Sequence, residues 1–169
     1  IISLFEEQVI KTPNNVALLG EISSYTYLEL HEFSNKIANF IFTKYGNRSK
    51  DPIIVRLERS NFNIAIVLGI LKIGRSFIPV ETSLTSNELS KIITQTKAQV
   101  IISEIVTDLE GFKSVTVLDL EEMIKGANSF NFNLEFSYNP LLTDIAYGIC
   151  NRDGFIDSIS HRSLMSSSV

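Results

Sequence analysis

The sequence predicts an α/β domain: a mostly parallel sheet with helices on both faces. Two observations carry that expectation. Segments of helical periodicity alternate with short apolar runs of strand length along most of the chain. Parallel strands need such crossovers, and their burial on both faces makes them read as continuous apolar runs. One helical segment carries Ile64, Ile66, Val67, Leu68, Ile70 and Leu71, so it is apolar almost all round and must be buried on several sides.

The elements follow in order. Ser3 and Glu6 have the spacing of a capping box, so a short helix is expected to start there and to stop before Pro13. Val16 to Leu19 and Ser23 to Thr26 read as two short strands around a turn at Gly20 and Glu21. Thr26 and Glu29 form a second capping box. Leu30, Phe33, Ile37 and Ile41 then share one helical face, and Gly46 is expected to end that helix. Pro52 to Leu57 is an apolar strand. Ser60 is placed to cap the apolar helix through Leu71, with Gly74 at its end. Ser76 to Val80 is the next strand, with Pro79 setting its end near an edge or a bend.

Thr85 and Glu88 cap a further helix that carries Leu89, Ile92 and Ile93. Gln99 to Ser103 and Ser114 to Leu118 are two more strands, and Leu120 to Ile124 is one or two helical turns. Asn128 to Asn139, rich in Asn and Phe, reads as a surface connection. Ile145 to Cys150 is a strand, Asn151 to Gly154 a turn, and Phe155 to Ser160 a returning strand. Asp153-Gly154 between two such runs is a hairpin signal, because both residue types tolerate positive φ. A last helix begins near His161 and Arg162.

Composition sets limits on function. The 169 residues are 44% hydrophobic, with 11 Phe and no Trp, which suits one domain or part of a larger one. Net charge is −4 and the 15 Lys and Arg residues are scattered without a basic stripe, which argues against nucleic acid as a partner. No pair of metal ligands stands at a useful spacing. Cys150 is the single cysteine, so no internal disulfide can form, and a reducing cytoplasmic setting fits best. The most apolar run, Ile64 to Leu71, is far too short to cross a bilayer, and no signal peptide is visible. The chain opens on Ile1 and a helix cap, and is expected to be a piece of a longer polypeptide.

Individual residues have ordinary readings. Arg152 and Asp153 suit a solvated turn, and Cys150, on a strand beside Ile149, suits a buried and inert thiol. His31 falls on the polar side of its helix and His161 at a helix start, neither with an Asp or Ser at a catalytic spacing. Glu6 and Glu29 are accounted for by their caps, and Glu58 with Arg59 by a local charge pair. Lys72 is placed where a cation favours the end of a helix, beside Gly74.

Four stretches together resemble the adenylation domains of nonribosomal peptide synthetases. Leu4 to Gln8 with Lys11 to Pro13 is similar to that family's opening helix. Tyr25 to Leu30 (YTYLEL) resembles its first core motif, L-T-Y-x-E-L. Leu57 to Ser60, Leu68 to Gly74 (LGILKIG) and Phe77 to Val80 (FIPV) resemble the second, L-K-A-G-x-A-Y-x-P. Asp144 to Tyr147 (DIAY) and His161 to Leu164 (HRSL) resemble the two flanks of the third. The resemblance implies the fold of the N-terminal subdomain of adenylate-forming enzymes.

The family's third motif is a phosphate loop, Y-T-S-G-S-T-G-x-P-K-G, in which glycines let backbone amides approach phosphate while hydroxyls and a Lys add donors and charge. Between Tyr147 and His161 this chain retains only Gly148 and Gly154 as glycines, and no Thr or Lys. Asn151, Arg152, Asp153 and Gly154 stand at the degenerate phosphate-loop position. The segment is about four residues shorter than the motif, as a simple hairpin would be.

The expectation is a truncated adenylation-like domain over residues 1–169. It has no catalytic residue, cofactor or metal of its own, and acts as a structural platform for adjacent condensation or carrier domains of a cytoplasmic assembly line. Two alternatives stay open. The chain is the first part of a split or interrupted adenylating enzyme, or it is a module that recruits a separate protein through residues such as Phe5, Phe112, Phe130, Phe132 and Phe136.

Overall fold

The computed structural model describes residues 1–20, 24–45, 50–58, 60–129, 141–150 and 156–166, with the Met165 side chain excepted. Six strands form one sheet in the order β6-β5-β3-β4-β7-β8. They are β3 (Ile53–Arg56), β4 (Phe77–Pro79), β5 (Val100–Ser103), β6 (Thr116–Asp119), β7 (Ile145–Cys150) and β8 (Ile156–Ser160). All neighbours are parallel except β7 and β8, which are antiparallel. A separate two-stranded antiparallel ribbon joins β1 (Val16–Leu18) and β2 (Tyr25–Thr26).

Alternate residues of the strands feed two cores. Ile53, Val55, Val100, Ile102 and Leu118 face α2 (Tyr27–Tyr45), α3 (Asn61–Lys72) and α5 (Leu120–Ser129). Ile54, Ile78 and Ile101 face Leu89 and Ile92 of α4 (Ser86–Thr96). Helices therefore cover both faces, and strand pleating decides which side chain joins which layer. The helix read as apolar all round, α3, lies between the sheet and α2, and both its Ile66 and its Ile70 are fully buried.

Local chemistry explains most of the element ends. Thr26 and Glu29 make the expected reciprocal bonds at the start of α2: the Glu29 amide donates to the Thr26 hydroxyl at 3.2 Å and the Thr26 amide to the Glu29 carboxylate at 2.8 Å. Thr85 and Glu88 do the same for α4. The Asp119 carboxylate accepts from the Glu122 amide at 3.0 Å and starts α5, which runs longer than the one or two turns expected. Gly74 takes φ 76° just beyond α3, a left-handed conformation that costs glycine nothing.

The first capping box is a correction. Helix α1 (Ile2–Lys11) begins two residues earlier than a cap at Ser3 would set, with Ile1 at the cap position and no capping side chain. Ile2 and Val9 are buried, and seating Ile2 in the core fixes the first turn. Ser60 stands at the cap position of α3 but its hydroxyl donates to Asn63 Oδ1 at 2.9 Å and caps no amide. Pro79 is not at a sheet edge. Strand β4 is internal, and Pro79 ends it as an exposed residue.

Candidate functional site

The position where the motif flanks meet is a hairpin. Strands β7 and β8 pair from Ile145↔Ser160 to Cys150↔Ile156. The base is tied by the His161 amide donating to the Asp144 carbonyl and the Arg162 amide to the Leu142 carbonyl, each at 2.9 Å. The Asp144 carboxylate in turn accepts from the Leu141 amide at 3.0 Å. Asn151, Arg152, Asp153 and Gly154 lie outside the described residues, as does Phe155. Gly148 is described, and its missing side chain serves packing: a Cβ there would come 2.8 Å from Ile156 Cγ2 and 3.3 Å from Ile78. Tyr147 stacks on Phe77 of β4 at 5.6 Å.

Cys150 is half-buried beside the second core, less enclosed than expected. Burial pushes its thiol above the ordinary range, and the Glu88 carboxylate pushes the same way, so the nucleophilic thiolate is disfavoured. His161 is buried, and its Nδ1 has no partner among the described residues. Its pKa is lowered by burial and by the chain's amino terminus, with Asp144 acting against both.

The structure corrects the reading of Lys72, His31 and Glu6. Lys72 is 1% exposed. Its ammonium donates to Asn35 Oδ1 at 2.6 Å, to Ser34 Oγ at 2.8 Å and to the His31 carbonyl at 3.3 Å, and lies 5.7 Å from the centre of the Phe5 ring. It is an interior tie between α2 and α3, because the long stem follows the apolar interior while the head finds acceptors on α2. Burial lowers its pKa to about 8, opposed by Glu6, whose charge serves Lys72 in place of the expected cap. His31 is half-buried between Phe5 and Lys72, and burial first and the Lys72 charge second lower its pKa to about 4. Sequence periodicity missed this cluster because its members come from three helices.

Two buried arginines were also missed. Arg56 ends β3 with its guanidinium on Asp108, the Thr82 carbonyl at 2.6 Å and the Ile105 carbonyl at 3.5 Å. Arg75 holds the Asp51 carbonyl through Nε at 3.0 Å and Nη2 at 2.7 Å. Arg59 lies outside the described residues, and Glu58, expected to pair with it, accepts a bond from the Thr82 hydroxyl. Phe5 and Phe112 are half-buried against the two cores and offer no exposed aromatic patch; Phe130, Phe132 and Phe136 lie outside the described residues. Among the described residues no cluster of His, Cys, Asp and Glu could hold a metal, and no helix is long and apolar enough to cross a membrane.

The sequence model of the AMP-binding enzyme family matches residues 5–140, most of the chain. The chain belongs to the AMP-binding enzyme family. Gramicidin S synthase 2 of Brevibacillus brevis is 46% identical over 78 residues, which is 46% of this chain and 2% of that protein. Zwittermicin A synthase ZmaJ of Bacillus cereus is 34% identical over 102 residues, 60% of this chain and 19% of that protein. The chain therefore spans a small part of the relatives it matches. The fold is that of an artificially fused adenylation–PCP di-domain nonribosomal peptide synthetase, NpsA-ThdA, from Klebsiella oxytoca. That likeness has a TM-score of 0.82 at 24% identity and covers 96% of this chain and 30% of that one. The motif resemblance to the front of an adenylation domain, and the fold class it implied, are thus borne out.

Proposed function

We propose that this AMP-binding family segment is a structural platform within a nonribosomal peptide synthetase or hybrid assembly line, without adenylating activity of its own. One observation carries the reading. Strands β7 and β8 remain paired out to Cys150↔Ile156, so residues 151–155 are the whole connection where the family's phosphate loop belongs. Those residues are Asn, Arg, Asp, Gly and Phe, without the Lys and hydroxyls that the loop uses on phosphate. The neighbouring Gly148 is occupied in strand packing. A connection of this length has one glycine, Gly154, and none of the Lys and hydroxyl side chains that the family's loop sets around phosphate. The partners that follow are adjacent condensation or carrier domains.

Calorimetry with ATP, with and without amino acids, tests the proposal. No binding in the micromolar range is expected, and clear micromolar binding would sink it. A second reading, the first part of an interrupted adenylating enzyme, draws on the alignment with only 30% of the Klebsiella chain, whose other segments lie outside this sequence. It requires amino-acid-dependent pyrophosphate exchange by a polypeptide that carries this chain.

A further inference from the structure

Strands β3 and β4 are parallel neighbours, yet the chain leaves them in opposite directions. From β3 it enters α3, which packs on the first core, and from β4 it enters α4, which packs on the second. Two adjacent strands whose following helices lie on opposite faces define a topological switch point. A crevice forms there outside the carboxyl ends of the strands, because the two connections part. The structure has a cleft of about 550 Å³ at that place, within the size range of small-molecule sites.

The lining is divided by polarity. Val55, Leu57 and Val80, all buried, form an apolar floor, with Val67 of α3 as one wall. The exposed Glu58 and Glu81 stand at the mouth. Glu58 is held in place by the Thr82 hydroxyl, and the Thr82 carbonyl is gripped from behind by Arg56. The start of α3 alone would favour an anion there. Two carboxylates outweigh that partial charge, and the guanidinium of Arg56 is already committed to Asp108.

We propose that this crevice binds a small organic cation: a primary amine carrying an apolar body of about the size of a phenylethyl group. The ammonium lies between Glu58 and Glu81, and the body covers Val55, Leu57 and Val80. The site is separate from the hairpin at the end of β7 and does not rest on the platform reading. A carboxylate on the ligand would meet Glu58 and Glu81, so simple amines are preferred over amino acids and over nucleotides.

The test is an amide chemical-shift titration of the folded 169-residue chain with phenethylamine, with 3-phenylpropionate as the anionic match. Saturable shifts at millimolar amine are expected, confined to the ends of β3 and β4 and the start of α3, with the acid at least about tenfold weaker. The Glu58→Gln/Glu81→Gln double variant, altered only at exposed positions, weakens the amine about tenfold with the rest of the spectrum unchanged. Equal shifts from amine and acid, saturation elsewhere on the chain, or no saturation by ~20 mM overturns the proposal.

Discussion

Arg56 and Asp108 are joined by two parallel charge-assisted bonds, Nη1 to Oδ1 at 2.9 Å and Nη2 to Oδ2 at 2.8 Å. The pair lies at the carboxyl edge of the sheet. Through the Thr82 and Ile105 carbonyls the same guanidinium also holds the chain that leaves β4 and β5. One side chain of β3 thus fixes two connections, β4 to α4 and β5 to β6.

Asp108→Ala leaves that buried guanidinium without its counter-charge, and a loss of about 2 kcal/mol in urea unfolding is expected, moderated because the Asp108 side chain is 39% exposed. Arg56→Lys costs a comparable amount, since an ammonium cannot reproduce the planar fork. The side-chain bond from Arg56 holds the Asp108 carboxyl below its ordinary pKa. Its contribution is therefore present above the unfolded carboxylate range and is lost as pH falls through the folded value.

The Lys72 cluster gives stability two further pH dependences. His31 has a folded pKa of about 4, below its ordinary 6.5, so it contributes stability that is complete above pH 6.5 and lost as pH falls through about 4. Lys72 has a folded pKa of about 8, below its ordinary 10.5, so stability rises as pH climbs from about 8 to 10.5. Denaturant midpoints measured across pH check both. Lys72→Met is expected to abolish the alkaline rise and to reduce the acid loss, because the Lys72 charge is the second cause of the His31 shift.

Helix contacts predict a contrast among three glycines. A Cβ at Gly69 would come 2.8 Å from Ile37 Cγ2 and 3.1 Å from the Ser34 carbonyl oxygen, where α3 crosses α2. At Gly126 it would come 2.2 Å from the Phe40 ring, where α5 crosses α2, and at Gly111 it would meet nothing within 4 Å. Alanine at either crowded position is expected to cost about 1–3 kcal/mol by overpacking, and at Gly111 to stay within about 0.5 kcal/mol. Thermal unfolding of the three variants decides it.

The elements were legible because their signals are local. The Thr26 and Thr85 capping boxes, the all-apolar run of α3 and the span of β7 each depend on a few consecutive residues. What sequence reasoning missed depends on distant residues. The Ser3 box failed because burial of Ile2 decided the start of the helix. Lys72 read only as a helix-end cation beside Gly74, which is where it stands, and its role as an interior tie was missed because its acceptors, Ser34 and Asn35, are on a different helix. Arg56 and Asp108 are 52 positions apart. The motif flanks located the hairpin, whereas the crevice between β3 and β4 follows from strand order, which no single segment encodes.

Strand β7 meets the parallel part of the sheet through one register pair, Phe77↔Tyr147, while it follows β8 along its length. That asymmetry makes a seam. The hairpin is a leaf whose own ladder is stronger than its stitching to β4, so its opening is a local event that leaves the other strands intact. Parting the hairpin from β4 requires the stacked Phe77 and Tyr147 rings to separate, so that pair is the clasp of the seam.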